Sequence, residues 1–167
     1  LSMIDEYLDA LIIELGEKIE IINSLGMKIS TVYIGGGTPT TLNESQLERL
    51  LSEVNSLVEI SSLSEFTLEA GRPDTITKEK LDILNKYGVK RISVNPQTLN
   101  DSVLEKIGRK HTVKDFFDAY KIVDEAKIEI VNTDLIVGLD GDSYDSFKNT
   151  VDEIIKLNPK NITVHAF

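Results

Sequence analysis

Cysteine is absent from all 167 residues. Disulfides, thiolate nucleophiles and thiolate-bound metals are thereby excluded for this chain. No apolar run approaches the roughly 18 residues needed to cross a bilayer. The opening stretch LSMIDEYLDALIIELGEKIE is acidic, without the basic region and small-residue cleavage site of a secretory signal, so the expected location is the cytoplasm. Basic surface is also scarce. Lysines and arginines number 18 against 28 aspartates and glutamates, a formal net charge of −10. Nucleic-acid backbones and anionic membranes call for the opposite sign, so neither is expected as a partner. The acidity itself reads as solubility. No linker or low-complexity tract interrupts residues 1–167, which read as a single domain.

What is present is an alternation of two patterns. Ile4, Leu8, Leu11, Ile12, Leu15, Ile19, Ile22 and Leu25 recur at three- and four-residue steps and predict a helix. The strand-like STVYIGG (30–36) follows, then a helix over 44–58 that Asn43 or Ser45 can cap, with Leu47, Leu50, Leu51, Val54, Leu57 and Val58 on one face. EFTLEA (65–70) reads as a strand. A helix over 77–88 follows, with Thr77 as cap and Gly88 where a helix-terminating glycine belongs. KRISVNP (90–96) is a strand, 101–111 a short helix or turn, and 112–127 a helix. IEIVNTDLIVG (128–138) is a strand, 143–158 a helix, and NITVHAF (161–167) a strand. Five strands separated by crossover-length connections predict an α/β fold with a parallel sheet, either doubly wound or part of a β/α barrel.

In both architectures ligands bind beyond the carboxyl ends of the strands. Gly35, Gly36, Gly37 and Thr38 end the first strand, Glu69 the second, and Asn95 and Gln97 the third. Asn132 and Asp134 interrupt the otherwise apolar fourth strand, and His165 lies near the end of the fifth. A carboxylate within a parallel strand is costly unless paired or used. For Asp134 the alternative to function is a structural carboxylate held by backbone or Thr133. For Glu69 it is an ion pair with Arg72 or Arg91. His165 reads first as a hydrogen-bonded core residue. Arg109 and His111, after Gly108, read by composition as a solvated basic loop.

Three consecutive glycines exceed what a simple turn requires. GGGTPT lacks the lysine of a phosphate-binding P-loop and the third glycine of a dinucleotide fingerprint. It leaves a stretch of backbone that an anionic or polar ligand can approach closely.

GGGTPT (35–40), LEAGRPDTI (68–76), RISVNPQTLND (91–101), LEKIGRKHT (104–112) and NTDLIVGLDGDSYDSF (132–147), in that order, resemble the radical S-adenosylmethionine enzymes of the oxygen-independent coproporphyrinogen III oxidase family. The resemblance covers roughly residues 30–167. It implies a partial (β/α) barrel of six parallel strands, of which this chain would supply strands two to six. It also implies S-adenosylmethionine as cofactor. Gly35, Gly36, Gly37 and Thr38 would lie along its methionine end, Glu69, Gln97 and Asp134 would meet its polar groups, and Arg109 would meet a carboxylate. Acids suit the cofactor's amino group and hydroxyls, and arginine suits its carboxylate. No catalytic residue is implied. The family activity is oxidative decarboxylation of porphyrinogen propionates to vinyl groups in haem biosynthesis, which requires a 4Fe-4S cluster and an electron donor. A neighbouring branch, the haem chaperones, shares the skeleton without that activity. A cysteine-free module for a small polar ligand is a further alternative.

Two departures stand out. The family holds its cluster through three cysteines, and this chain has none. The sequence is therefore expected to be a piece of a longer protein, inactive alone and weak in binding the cofactor. The alternative is a natural cysteine-free relative. In GLDGDS, Asp140 and Asp142 replace a proline and an acid of the family turn, and Asp140-Gly141 preserves its turn character. As part of a barrel, the chain would expose edges at 31–34 and 162–166 and would self-associate through them unless they are covered.

Overall fold

The computed structural model describes residues 3–167. Among these residues six α-helices and five strands follow in the order α1 (Met3–Ser24), β1 (Thr31–Ile34), α2 (Glu44–Leu57), β2 (Glu65–Glu69), α3 (Lys78–Lys86), β3 (Arg91–Ser93), α4 (Asp101–Lys106), α5 (Val113–Glu125), β4 (Ile130–Val137), α6 (Tyr144–Leu157) and β5 (Asn161–Ala166). The sheet order is β1-β2-β3-β4-β5 and every neighbouring pair is parallel. A doubly wound sheet reverses its strand order at a switch point. This one runs in sequence order from edge to edge, the winding of a β/α barrel. The two architectures left open by the sequence are thereby separated.

Local sequence explains where the helices begin. Asn43 caps α2 in a capping box with Gln46, and Ser45 donates to the Asn43 side chain instead of capping. Thr77, Asn100, Thr112 and Ser143 cap α3, α4, α5 and α6. Gly88 has φ 77° just past α3, as its position in the sequence predicts.

Strand periodicity divides the sheet into two unlike faces. Val32, Phe66, Leu68, Ile92 and Leu135 pack with Leu47, Leu51, Leu81, Leu84, Phe116 and Val123 of the helices in one apolar core. Each fully buried side chain of this kind contributes roughly 1.5–3 kcal/mol. Parallel register places Tyr33 beside Thr67, Glu69 beside Ser93, Ser93 beside Asn132, and Asp134 beside Thr163 on the opposite face. That face is polar.

The outer strands differ from the centre. β1 and β5 each have one neighbour. Tyr33, Ile162 and Val164 remain exposed on them. On α1, Ile4, Tyr7, Ile13 and Ile21 are exposed, while Leu8 and Ile19 are buried.

Candidate functional site

The polar face and the loops leaving it converge at the carboxyl end of the sheet. The turn after β1 uses its glycines differently. A Cβ at Gly35 would stand 2.7 Å from the Tyr33 ring and 3.1 Å from the Glu69 carboxyl carbon, so a side chain has no room there. Gly36 has φ 109°, which L-residues rarely adopt. Gly37 has neither restriction, because its Cβ direction meets nothing within 4 Å. Thr38 then takes φ 65°, an uncommon conformation for a β-branched residue, and Pro39 opens a one-turn helix.

Glu69 receives two donors from this turn and its strand. The Tyr33 hydroxyl donates to Oε1, and the Gly36 amide donates to Oε2 at 3.2 Å. The ion pair with Arg72 or Arg91, the structural alternative to a functional Glu69, does not form. Arg91 lies instead 3.9 Å from Glu65. Among the described residues no cation stands within salt-bridge distance of Glu69. Burial first, then the bond to Glu69, pushes the Tyr33 phenol up to about 12.

The next two strand ends are tied together. Asn95 donates to Asp134 Oδ2 at 2.9 Å and Asn132 donates to Oδ1 at 2.6 Å. Asn95 in turn accepts from the Asp134 amide at 3.1 Å. Thr133 takes no part, since its side chain points to the other face, where its buried hydroxyl has no partner. Gln97 is buried and left-handed, with φ 67°. Its backbone bridges to β4 through the Asp134 carbonyl and the Ile136 amide. Among the described residues four non-glycine residues have positive φ, and two of them, Thr38 and Gln97, belong to this rim. Such conformations cost about 1–3 kcal/mol each and concentrate where a site needs them.

Arg109 follows α4 and folds back to the rim. Its guanidinium donates to the Gly71 carbonyl, just beyond Glu69, at 3.4 Å. It is half-buried. Burial and the nearby Arg72 lower its pKa, yet a guanidinium stays charged at any physiological pH. The solvated loop suggested by composition is thus found at Lys110, not at Arg109 or His111. His111 is 3% exposed, donates to the Pro96 carbonyl and leaves Nε2 without a partner. His165, expected inside, is exposed because β5 is an edge strand.

Sequence reading thus brought Gly35–Thr38, Glu69, Gln97, Arg109 and Asp134 to one rim, where the structure also finds them. It missed Tyr33, taken there as one of a run of strand residues. The signal available was alternation, which puts Tyr33 on the face opposite Val32 and Ile34. A cleft of about 350 Å³ adjoins the turn, with Tyr7, Leu8, Leu11, Gly35, Gly37 and Thr38 among its walls. Among the described residues no group of three potential metal-ligating side chains occurs, and no helix is long and apolar enough to cross a membrane.

A parallel sheet wound in sequence order, with polar strand ends gathered on one rim, defines a protein of the β/α-barrel class. The profile of the Radical SAM superfamily matches residues 8–154, and the chain belongs to that superfamily. Among individual relatives, it is 43% identical over 141 residues to the oxygen-independent coproporphyrinogen-III oxidase-like protein HemZ of Bacillus subtilis, covering 84% of this chain and 28% of that protein. It is 39% identical to the haem chaperone HemW of Bacillus subtilis, covering 98% of this chain and 42% of that protein. Among solved structures, coproporphyrinogen III oxidase (HemN) from Escherichia coli superposes with a TM-score of 0.83 at 30% identity, over 98% of this chain and 37% of that one. The chain therefore spans less than half the length of each of these three proteins.

Superfamily membership brings two groups to test against these residues. The open space over Gly37, the unpaired charge of Glu69 and the half-buried Arg109 suit the amino-acid end of S-adenosylmethionine. A 4Fe-4S cluster does not fit, because the chain offers it no thiolate.

Proposed function

We propose that this chain carries the S-adenosylmethionine-binding rim of a Radical SAM protein of haem metabolism. The observation that supports this most directly is Gly37. Neither its backbone angle nor its neighbours require glycine, so a close-approaching ligand accounts for the third glycine of the turn. Gly36, Gly37 and Thr38 line the methionine end. Glu69 and Arg109 supply opposite charges for an ammonium and a carboxylate, and Gln97 and Asp134 supply polar contacts to the remainder. Given an electron from a reduced cluster held outside this chain, the bound cofactor would supply a carbon radical for hydrogen abstraction. The residues of this chain bind and orient it, and the polar face keeps their dipoles fixed.

For the whole protein we propose oxidative decarboxylation of a porphyrinogen, with an external electron donor, in the cytoplasm. The support is the similarity to an oxidase-like protein at 43% identity and to the fold of a coproporphyrinogen III oxidase. A second reading, haem chaperone, is favoured by the alignment with a HemW protein over 98% of this chain. The test has two arms. Titration calorimetry of the 167-residue chain with S-adenosylmethionine is expected to show weak binding that Gly37→Val abolishes. Full-length protein, reconstituted anaerobically, is then given a porphyrinogen and, separately, haem. Vinyl product supports the oxidase, and haem binding without product supports the chaperone. If Gly37→Val leaves binding unchanged, the turn is not the cofactor cradle.

A further inference from the structure

Tyr33 has no evident structural duty. It lies on the edge strand, 59% exposed, and its face of the sheet is the polar one rather than the one that packs against the helices. Its hydroxyl nevertheless reaches Glu69 Oε1 across the β1–β2 pair. Space for this contact is kept by Gly35, where any Cβ would press on both the Tyr33 ring and the Glu69 carboxyl. Glu69 is in turn held at Oε2 by the Gly36 amide at 3.2 Å. Three features within four residues, the tyrosine at 33, the side-chain-free position at 35 and the positive-φ glycine at 36, thus converge on one carboxylate.

We infer that Tyr33 is a positioning residue that fixes the Glu69 carboxylate, and through it the Gly36 peptide, for a ligand's cationic or hydroxyl group. A carboxylate on a two-carbon stem samples several rotamers, and each one lost on binding costs affinity. A phenol on one oxygen and an amide on the other remove that freedom before the ligand arrives. They leave the remaining lone pairs of both oxygens for the ligand. The phenol is suited to this: held up to about 12, it stays a donor throughout the physiological range. Asp134 adds to the negative surroundings that favour the protonated phenol, and Arg91 opposes it weakly.

This inference rests on Glu69 being a ligand-binding carboxylate, and the experiment separates the two. S-adenosylmethionine is titrated into the unaltered chain, Tyr33→Phe, Glu69→Gln and the double variant, with binding followed by amide chemical shifts. Hydrogen exchange at the Gly36 amide is measured in the free proteins. Tyr33→Phe is expected to weaken binding about three- to tenfold, the scale of one hydrogen bond, and to speed exchange at Gly36. In the Glu69→Gln background the same change is expected to have no further effect, the non-additivity of residues acting through one another. Equal weakening by Tyr33→Phe in both backgrounds, or none in either, overturns the positioning role while leaving the ligand site standing. Wild-type binding unaffected by Glu69→Gln, or no binding by the unaltered chain, overturns the site and the inference together.

Discussion

Asn95 and Asp134 exchange two hydrogen bonds between the loop after β3 and strand β4: amide to carboxylate at 2.9 Å, and backbone N–H to amide oxygen at 3.1 Å. With Asn132 on the second carboxylate oxygen, Asp134 is held by two neutral donors and no cation. A carboxylate so held is oriented without being neutralised, and its charge stays available to a ligand. Asn95→Ala removes one donor from a buried group and leaves the Asp134 amide unpaired. We expect it to cost about 1–3 kcal/mol in urea denaturation. Asn95→Asp places two carboxylates together and should cost more at neutral pH, with partial recovery on acidification.

The glycines of the turn should separate fold from function. Gly35→Ala drives a methyl group into the Tyr33–Glu69 pair and should lower the melting temperature. Gly37→Ala meets open space, so its stability should be unchanged or higher by about 0.4–1 kcal/mol, from the restricted unfolded chain. Ligand affinity should fall for both. A Gly37→Ala variant with lower stability would show that the fold, and not a ligand, requires the third glycine.

Acid should loosen the rim through His111. Burial lowers its pKa most, Arg109 adds to this, and the Pro96 carbonyl, Asp74 and Asp115 oppose it. The folded value therefore lies below the unfolded value of about 6.5. Between the two, the unfolded chain binds more protons, so stability is full above roughly pH 6.5 and declines as pH falls through the folded pKa. Chemical denaturation across this window should show the slope, and His111→Phe should remove it.

The outer strands predict association. β1 and β5 each present an unpaired edge, and Tyr33, Ile162 and Val164 are exposed along them. Parallel edges of this kind recruit further strands. Light scattering of the chain at increasing concentration should show dimers or larger species, and lysine substitution at Ile162 and Val164 should reduce them. A monomer at all concentrations would show that the edges are harmless.

Much of the architecture was legible because alternating helical and strand periodicities are local. The caps at Asn43, Thr77 and Thr112 and the glycine after α3 follow from side chains that serve backbone groups within a few residues. The candidate rim was legible for a related reason: strand ends are marked by the sequence, and parallel sheets collect strand ends on one side.

What lay beyond reach depends on contacts between distant residues. The partner of Glu69 is 36 residues away, and the only partners the sequence suggested for it, as the alternative to function, were Arg72 and Arg91. The burial of His111 against Pro96 and the exposure of His165 on an edge strand depend on which strands have neighbours. The sequence by itself determined the elements, their parallel direction and the set of polar residues at their ends, because periodicity, capping and connection length act over short distances. Only the tertiary structure decided that the sheet winds in one sense, and that Glu69 is held by a phenol and Asp134 by two amides. Strand order and side-chain pairing are settled by packing among segments the chain separates.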